Sequence, residues 1–109
     1  MVTGGGVMLI LVGGDTPHLG AVVLSIPRPS LADHEQSSCT TSVLPLVGHK
    51  DDEAARPLAE MVAKATLLPV SVSAGIHIEK ATEEDIKLVK QNVIECGIKL
   101  LNMIDIDSL

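Results

Sequence analysis

A chain of 109 residues without one Phe, Tyr or Trp must build a single core from Val, Ile, Leu, Met and Ala. Fourteen acidic against eight basic residues give a net charge of −6, which argues against nucleic acid, and the missing aromatics argue against stacking on single strands. Cys39 and Cys96 match neither a zinc pattern nor a small disulfide framework, so they read as thiols of a reducing compartment. The apolar run Val7 to Val12 is too short to span a membrane and no positive segment precedes it, so the expected setting is soluble and cytoplasmic.

Val7 to Val12, bounded by Gly4-Gly5-Gly6 and Gly13-Gly14-Asp15, predicts a buried strand. Gly13 to His18 is turn material. Leu19 to Ile26 predicts a second strand, paired with the first as a hairpin and ended by Pro27-Arg28-Pro29. Leu31 to Gln36 reads as a polar loop. Ser37 to Val47 predicts a third strand, with Pro45 pushing its end to an edge or a bulge.

Ala54 to Leu67 has the pattern of a first helix. Pro57 requires either a regular helix that starts near it or a kinked Asp51–Arg56 turn. Val70 to Glu79 alternates, with Val70, Val72, Ala74, Ile76 and Ile78 on one face and His77 on the other. Thr82 opens a second helix through a capping box with Asp85. Ile86, Val89, Val93, Leu100 and Ile104 mark its stripe, widened by Ile94, Ile98 and Leu101. Gly97 is a weak spot in that helix or a point of close packing. The order β-β-β-α-β-α predicts a single α+β domain over 1–109: an antiparallel sheet with two helices on one face.

The densest chemistry is Gly48-His49-Lys50-Asp51-Asp52, between a predicted strand and a predicted helix, with Arg56 and Glu60 at helical spacing. Unpaired N–H groups and a positive dipole end favour an anion or a capping carboxylate there. The bland alternative is a solvated helix entrance with one Asp capping. His18, His49 and His77 are separated by about thirty residues each, which matches no local zinc pattern. Arg28, on a stiff Pro-Arg-Pro loop, suits a phosphate or carboxylate as well as it suits solvent. The glycine clusters form no dinucleotide or Walker fingerprint, and no nucleophile elbow is present.

Taken in order, Gly13-Gly14-Asp15-Thr16-Pro17-His18-Leu19-Gly20, Pro27-Arg28-Pro29-Ser30, Gly48 to Asp52 with Arg56 and Glu60, and Ala74-Gly75-Ile76-His77 resemble the prenylated-flavin chaperone (LpdD-like) family. The resemblance covers nearly the whole chain. It implies a fold like the small proteasome-assembly chaperones, often dimeric, and a non-catalytic accessory subunit of gallate-type UbiD decarboxylases. It also implies prenylated FMN or FMN as the ligand, with His18, Arg28, His49, Lys50, Asp51, Asp52, Arg56 and His77 as candidate binding residues. An N-terminal strand of longer relatives is expected to be missing.

Two other function classes stay open on the residues alone. One is a metal- or histidine-dependent hydrolase, which needs His18, His49 and His77 within a few ångströms of one another. The other is a structural assembly subunit without a small ligand, expected if no cleft adjoins the helix entrance. A hydrophobic content of 46 % and a mean hydropathy of +0.38 further predict a homodimer that covers apolar sheet or helix surface. That dimer is expected to draw two Gly48–Asp52 segments toward a shared groove.

Overall fold

The computed structural model describes residues 1–32, 35–46 and 51–105. Their elements are β1 (Val2–Thr3), β2 (Gly6–Gly14), β3 (Ala21–Pro29), β4 (Ser37–Pro45), α1 (Asp52–Thr66), β5 (Val70–His77) and α2 (Glu83–Met103). The α+β class and the strand–helix order agree with the sequence reading, with β1 added as a two-residue strand.

The five strands form one mixed sheet in the order β1-β2-β5-β3-β4. The expected hairpin between β2 and β3 does not form. β5 enters between them, parallel to β2 and antiparallel to β3. The physical reason lies in β5 itself: Val70, Val72 and Ala74 are fully covered, and a strand that deep needs a ladder on both edges to satisfy its backbone. The segment from β2 to β3 therefore crosses the end of β5. The Asp15 N–H donates to the His77 carbonyl and the Gly20 N–H to the Ala74 carbonyl, at 2.6 and 2.7 Å.

Pro27-Arg28-Pro29 does not end β3, which runs to Pro29. β3 parts from β5 after Ser25 and keeps only β4 beside it. Missing N–H donors on that open side cost no ladder bond. β4 is an edge strand and its described part ends at Pro45, the edge position expected for that proline.

α1 begins at Asp52, earlier than expected, and runs through Pro57. The ring sits on the exposed side, and the carbonyl it cannot bond, four residues back, belongs to exposed Glu53, where water reaches it. The opposite face of α1 carries Ala54, Ala55, Ala59 and Ala63 with Leu58 and Val62, all buried. Alanines let the helix approach the sheet closely, which is how an aromatic-free core reaches dense packing. α2 lies along α1, sealed at its start by the Thr82–Asp85 capping box. Val93 enters the core, and Val89, Leu100 and Leu101 border it. Gly97 marks close packing, since a Cβ there would meet Met61 Sδ at 2.8 Å and Leu58 Cδ1 at 3.0 Å.

Both helices cover one face of the sheet. On the other face Met8, Ile10 and Val12 of β2, Leu24 and Ile26 of β3 and Leu44 of β4 stand exposed. Ser71, Ser73 and Gly75 of β5 run between them.

Candidate functional site

Asp51 immediately precedes α1. Its main-chain carbonyl accepts from the Ala54 and Ala55 N–H groups at 3.2 and 2.9 Å, so the residue opens the helix with its backbone. Its side chain makes no cap bond and turns away to the sheet. There the Ile76 N–H donates to Oδ1 at 2.8 Å, and His18 Nε2 lies 3.3 Å from Oδ2. The carboxylate is buried, and a buried charge requires this kind of pairing. The expectation that one Asp serves as a helix cap is met by the wrong atoms: the stronger demand for a partner comes from Ile76 and His18.

Two glycines make the arrangement possible. A Cβ at Gly20 would overlap the Asp51 carboxylate, and a Cβ at Gly75 would overlap the His18 carbonyl. Both glycines provide room for a side chain or a crossing backbone. His18 Nδ1 faces the Thr16 carbonyl at 3.4 Å, so each ring nitrogen faces an oxygen. The His18 and His77 rings meet edge to face, with centroids 5.7 Å apart. His77 Nε2 lies 3.0 Å from Glu79 Oε1, and the Glu79 N–H donates to Asp15 Oδ2 at 2.9 Å. The result is a compact cluster of two imidazoles and three carboxylates at the end of β5.

A slot of about 260 Å³ opens beside this cluster, between the starts of α1 and α2 and the end of β5. Ala54, Ile76, Ile78, Ala81, Ile86 and Val89 give it apolar walls. Asp51, His77, Glu53 and Lys90 supply its polar groups, and Lys90 Nζ lies 3.4 Å from Glu53 Oε2 across the rim. The volume is near the lower bound for small-molecule pockets.

The residues expected at the site fall into separate groups. His18, Asp51 and His77 come together, and Asp52 follows as the first residue of α1. Arg28 stands seven residues along β3 from Ala21, roughly 23 Å at about 3.3 Å per residue. It bonds Thr40 Oγ1 and the Pro29 carbonyl and lines a shallow hollow with Glu35 and Leu67. Arg56 is held by Glu60 at 3.1 Å; Glu60 also accepts from the Thr41 hydroxyl, which lies 3.1 Å from Ser25 Oγ. That chain ties α1 to β4 and β3. His49 and Lys50 lie outside the described residues. Among the described residues no group of three His, Cys, Asp or Glu side chains is placed to hold a metal ion.

Sequence reasoning missed the slot walls, Glu79 as the partner of His77, and Lys90 with Glu53. Ile76, Ile78, Ile86 and Val89 were legible as apolar positions. Their convergence on one opening required knowing that α2 returns past the end of β5.

Fold and site together define a small α+β domain with an apolar slot on the helix side, beside a half-buried histidine paired with a buried carboxylate. The chain belongs to the prenylated flavin chaperone LpdD-like domain family, whose model matches residues 1–105. No curated protein matches it. Among the described residues no helix is long and apolar enough to cross a membrane.

Proposed function

We propose that this protein is a non-catalytic chaperone that binds prenylated FMN, or a related flavin phosphate, and delivers it to a UbiD-type decarboxylase in the cytoplasm, acting as a homodimer. One observation carries the reading: an apolar slot sits directly beside Asp51 and His77, in a chain of a prenylated-flavin chaperone family.

The residues fit part of such a ligand. In a chain without aromatics a flat ring is held between aliphatic side chains, and Ile76, Ile78, Ile86 and Val89 provide them. About 260 Å³ suits the edge of a tricyclic ring or an added isoprenoid unit, and leaves the ribityl phosphate outside the walls. Lys90, on the rim, can swing from Glu53 to a phosphate, since both are about half exposed. Arg28 is too far along the sheet to share that anion. His18 and Asp51 hold the end of β5 against α1 and so fix the slot's inner wall. The flavin's chemistry belongs to the decarboxylase; the work of this chain is to bind and shield.

The cleft beside the helix entrance weighs against a purely structural subunit. The hydrolase reading keeps the proximity of His18 and His77, with no third metal ligand among the described residues.

Titration with FMN and with prenylated FMN tests the proposal. Prenylated FMN should bind, and Ile86→Glu at the slot rim should weaken binding at least tenfold, the effect of about 1.4 kcal/mol. Binding of neither flavin, together with no capture of a UbiD-type decarboxylase, would overturn it.

A further inference from the structure

We infer that the open edge of β2, along Ile10 to Val12, takes an extended segment of the protein that receives the flavin as an added strand of this sheet. The inference rests on the chaperone reading for the identity of that partner; the edge itself is a property of the backbone.

One hydrogen bond fixes which groups the edge offers. The Val7 N–H donates to the Pro69 carbonyl at 2.9 Å, so Val7, Leu9, Leu11 and Gly13 turn their N–H and C=O groups toward β5. Met8, Ile10 and Val12 turn theirs the other way. Met8 is satisfied: its N–H donates to the Met1 carbonyl at 2.8 Å, and its carbonyl accepts from the Met1 amino group at 2.7 Å. β1 itself pairs only with Gly6 and Val7. Among the described residues, no strand therefore lies beside Ile10 and Val12 on that side, which offers two donors and two acceptors in a row.

The edge also lacks the devices that keep sheets apart. Met8 to Gly13 carries no charge and no proline, and its register with β5 runs without a bulge from Val7 to Gly14. The opposite edge strand, β4, is rich in Ser and Thr and ends at Pro45. An added strand sets its side chains alternately beside Ile10 and Val12 on one face and beside half-buried Leu9 and Leu11 on the other. The fitting guest is thus an uncharged run of about five aliphatic or β-branched residues, held by main-chain bonds.

Two features favour a receiving protein over a second copy. The open stretch lies at the slot end of the sheet, where Gly13 and Gly14 pair with Ile76 and His77 of the slot wall. An added strand lies two strand spacings, about 10 Å, from that wall, close to a ligand passing between proteins. Self-pairing meets an obstacle. The antiparallel register that matches all four free groups centres on Leu11 and sets Gly14 of one copy opposite Met8 of the other, the place Met1 already holds. Four main-chain bonds make a modest, reversible contact, which suits handover better than a permanent complex.

Amide hydrogen exchange at single-residue resolution tests the inference, on the full chain with and without the catalytic subunit of a UbiD-type decarboxylase. In the free protein Ile10 and Val12 should exchange fast, between slow Leu9 and Leu11. In the complex both should slow at least tenfold. Val12→Pro removes an outward N–H and no bond to β5; it should raise the dissociation constant for the decarboxylase at least tenfold. Val12→Thr keeps the N–H and should bind as wild type does. Circular dichroism shows whether the proline variant folds; if it does not, the exchange pattern of wild type decides alone. Unchanged exchange at Ile10 and Val12 in a formed complex would overturn the inference, as would the absence of any complex. Slow exchange of both amides in the protein alone, growing with its concentration, would give the edge to a second copy instead. Folded Val12→Pro should keep wild-type affinity for prenylated FMN. A wild type that binds no flavin yet captures the decarboxylase with both amides slowed would sink the chaperone reading and leave the edge assignment standing.

Discussion

Asp51 does two jobs with two sets of atoms. Its carbonyl starts α1, and its carboxylate holds the end of β5 and the ring of His18. Replacing it by Ala takes the acceptor from the half-buried Ile76 N–H and one partner from His18. Asp51→Ala should therefore lower stability by about 2–3 kcal/mol, seen in urea as a shifted midpoint at constant slope. The glycines of the chain differ in what a Cβ would meet. Gly75→Ala drives a Cβ into a backbone carbonyl that cannot move without breaking the crossing, while Gly4 has nothing within 4 Å of a Cβ. Gly75→Ala should cost about 2–4 kcal/mol and Gly4→Ala should be near neutral, measured by the same titration. Both Gly75 and Asp51 belong to runs singled out in the sequence, yet neither run says that Gly75 serves His18.

Between α1 and α2 the limiting dimension is the distance of approach. The second helix contributes a glycine, and Met61 and Leu58 of the first fill the gap. A large side chain at Gly97 would force the helices apart despite its better helix propensity. Gly97→Leu should cost about 1–3 kcal/mol net of that gain, read from thermal and urea unfolding. The same displacement would widen the slot, whose far wall is Ile86 and Val89 of α2. The sequence pattern located α2 well, because Thr82 and Asp85 reproduce a local hydrogen-bond motif that needs no tertiary partner. It placed the start of α1 at Ala54 or as late as Pro57, whereas the helix begins at Asp52 and carries the proline on an exposed side that tolerates a lost bond.

For the whole molecule, the two faces of one sheet differ: the helix side borders a slot, and the bare side stands exposed. Ligand binding by the native state alone must raise stability by mass action. At a hundredfold excess over its dissociation constant, prenylated FMN should add about 2.7 kcal/mol, a rise of roughly 10 °C in Tm for a chain of this size. Scanning calorimetry should show this in wild type and not in folded Ile86→Glu. An unchanged Tm at saturating flavin would remove the ligand from the slot.

Composition and period alone determined the aliphatic core, the strands and helices, the second helix's start, and the excess of apolar surface. These are local or additive properties, fixed by side-chain chemistry and by repeats of 2.0 and 3.6 residues. Only the tertiary structure decided that β5 lies between β2 and β3, because strand order depends on which edges are buried together and not on which strands are neighbours in the chain. That single insertion places His18 over Gly75, turns Asp51 toward Ile76 and separates Arg28 from both. A constellation built from residues about thirty positions apart is set by topology, and topology leaves little trace in a local window.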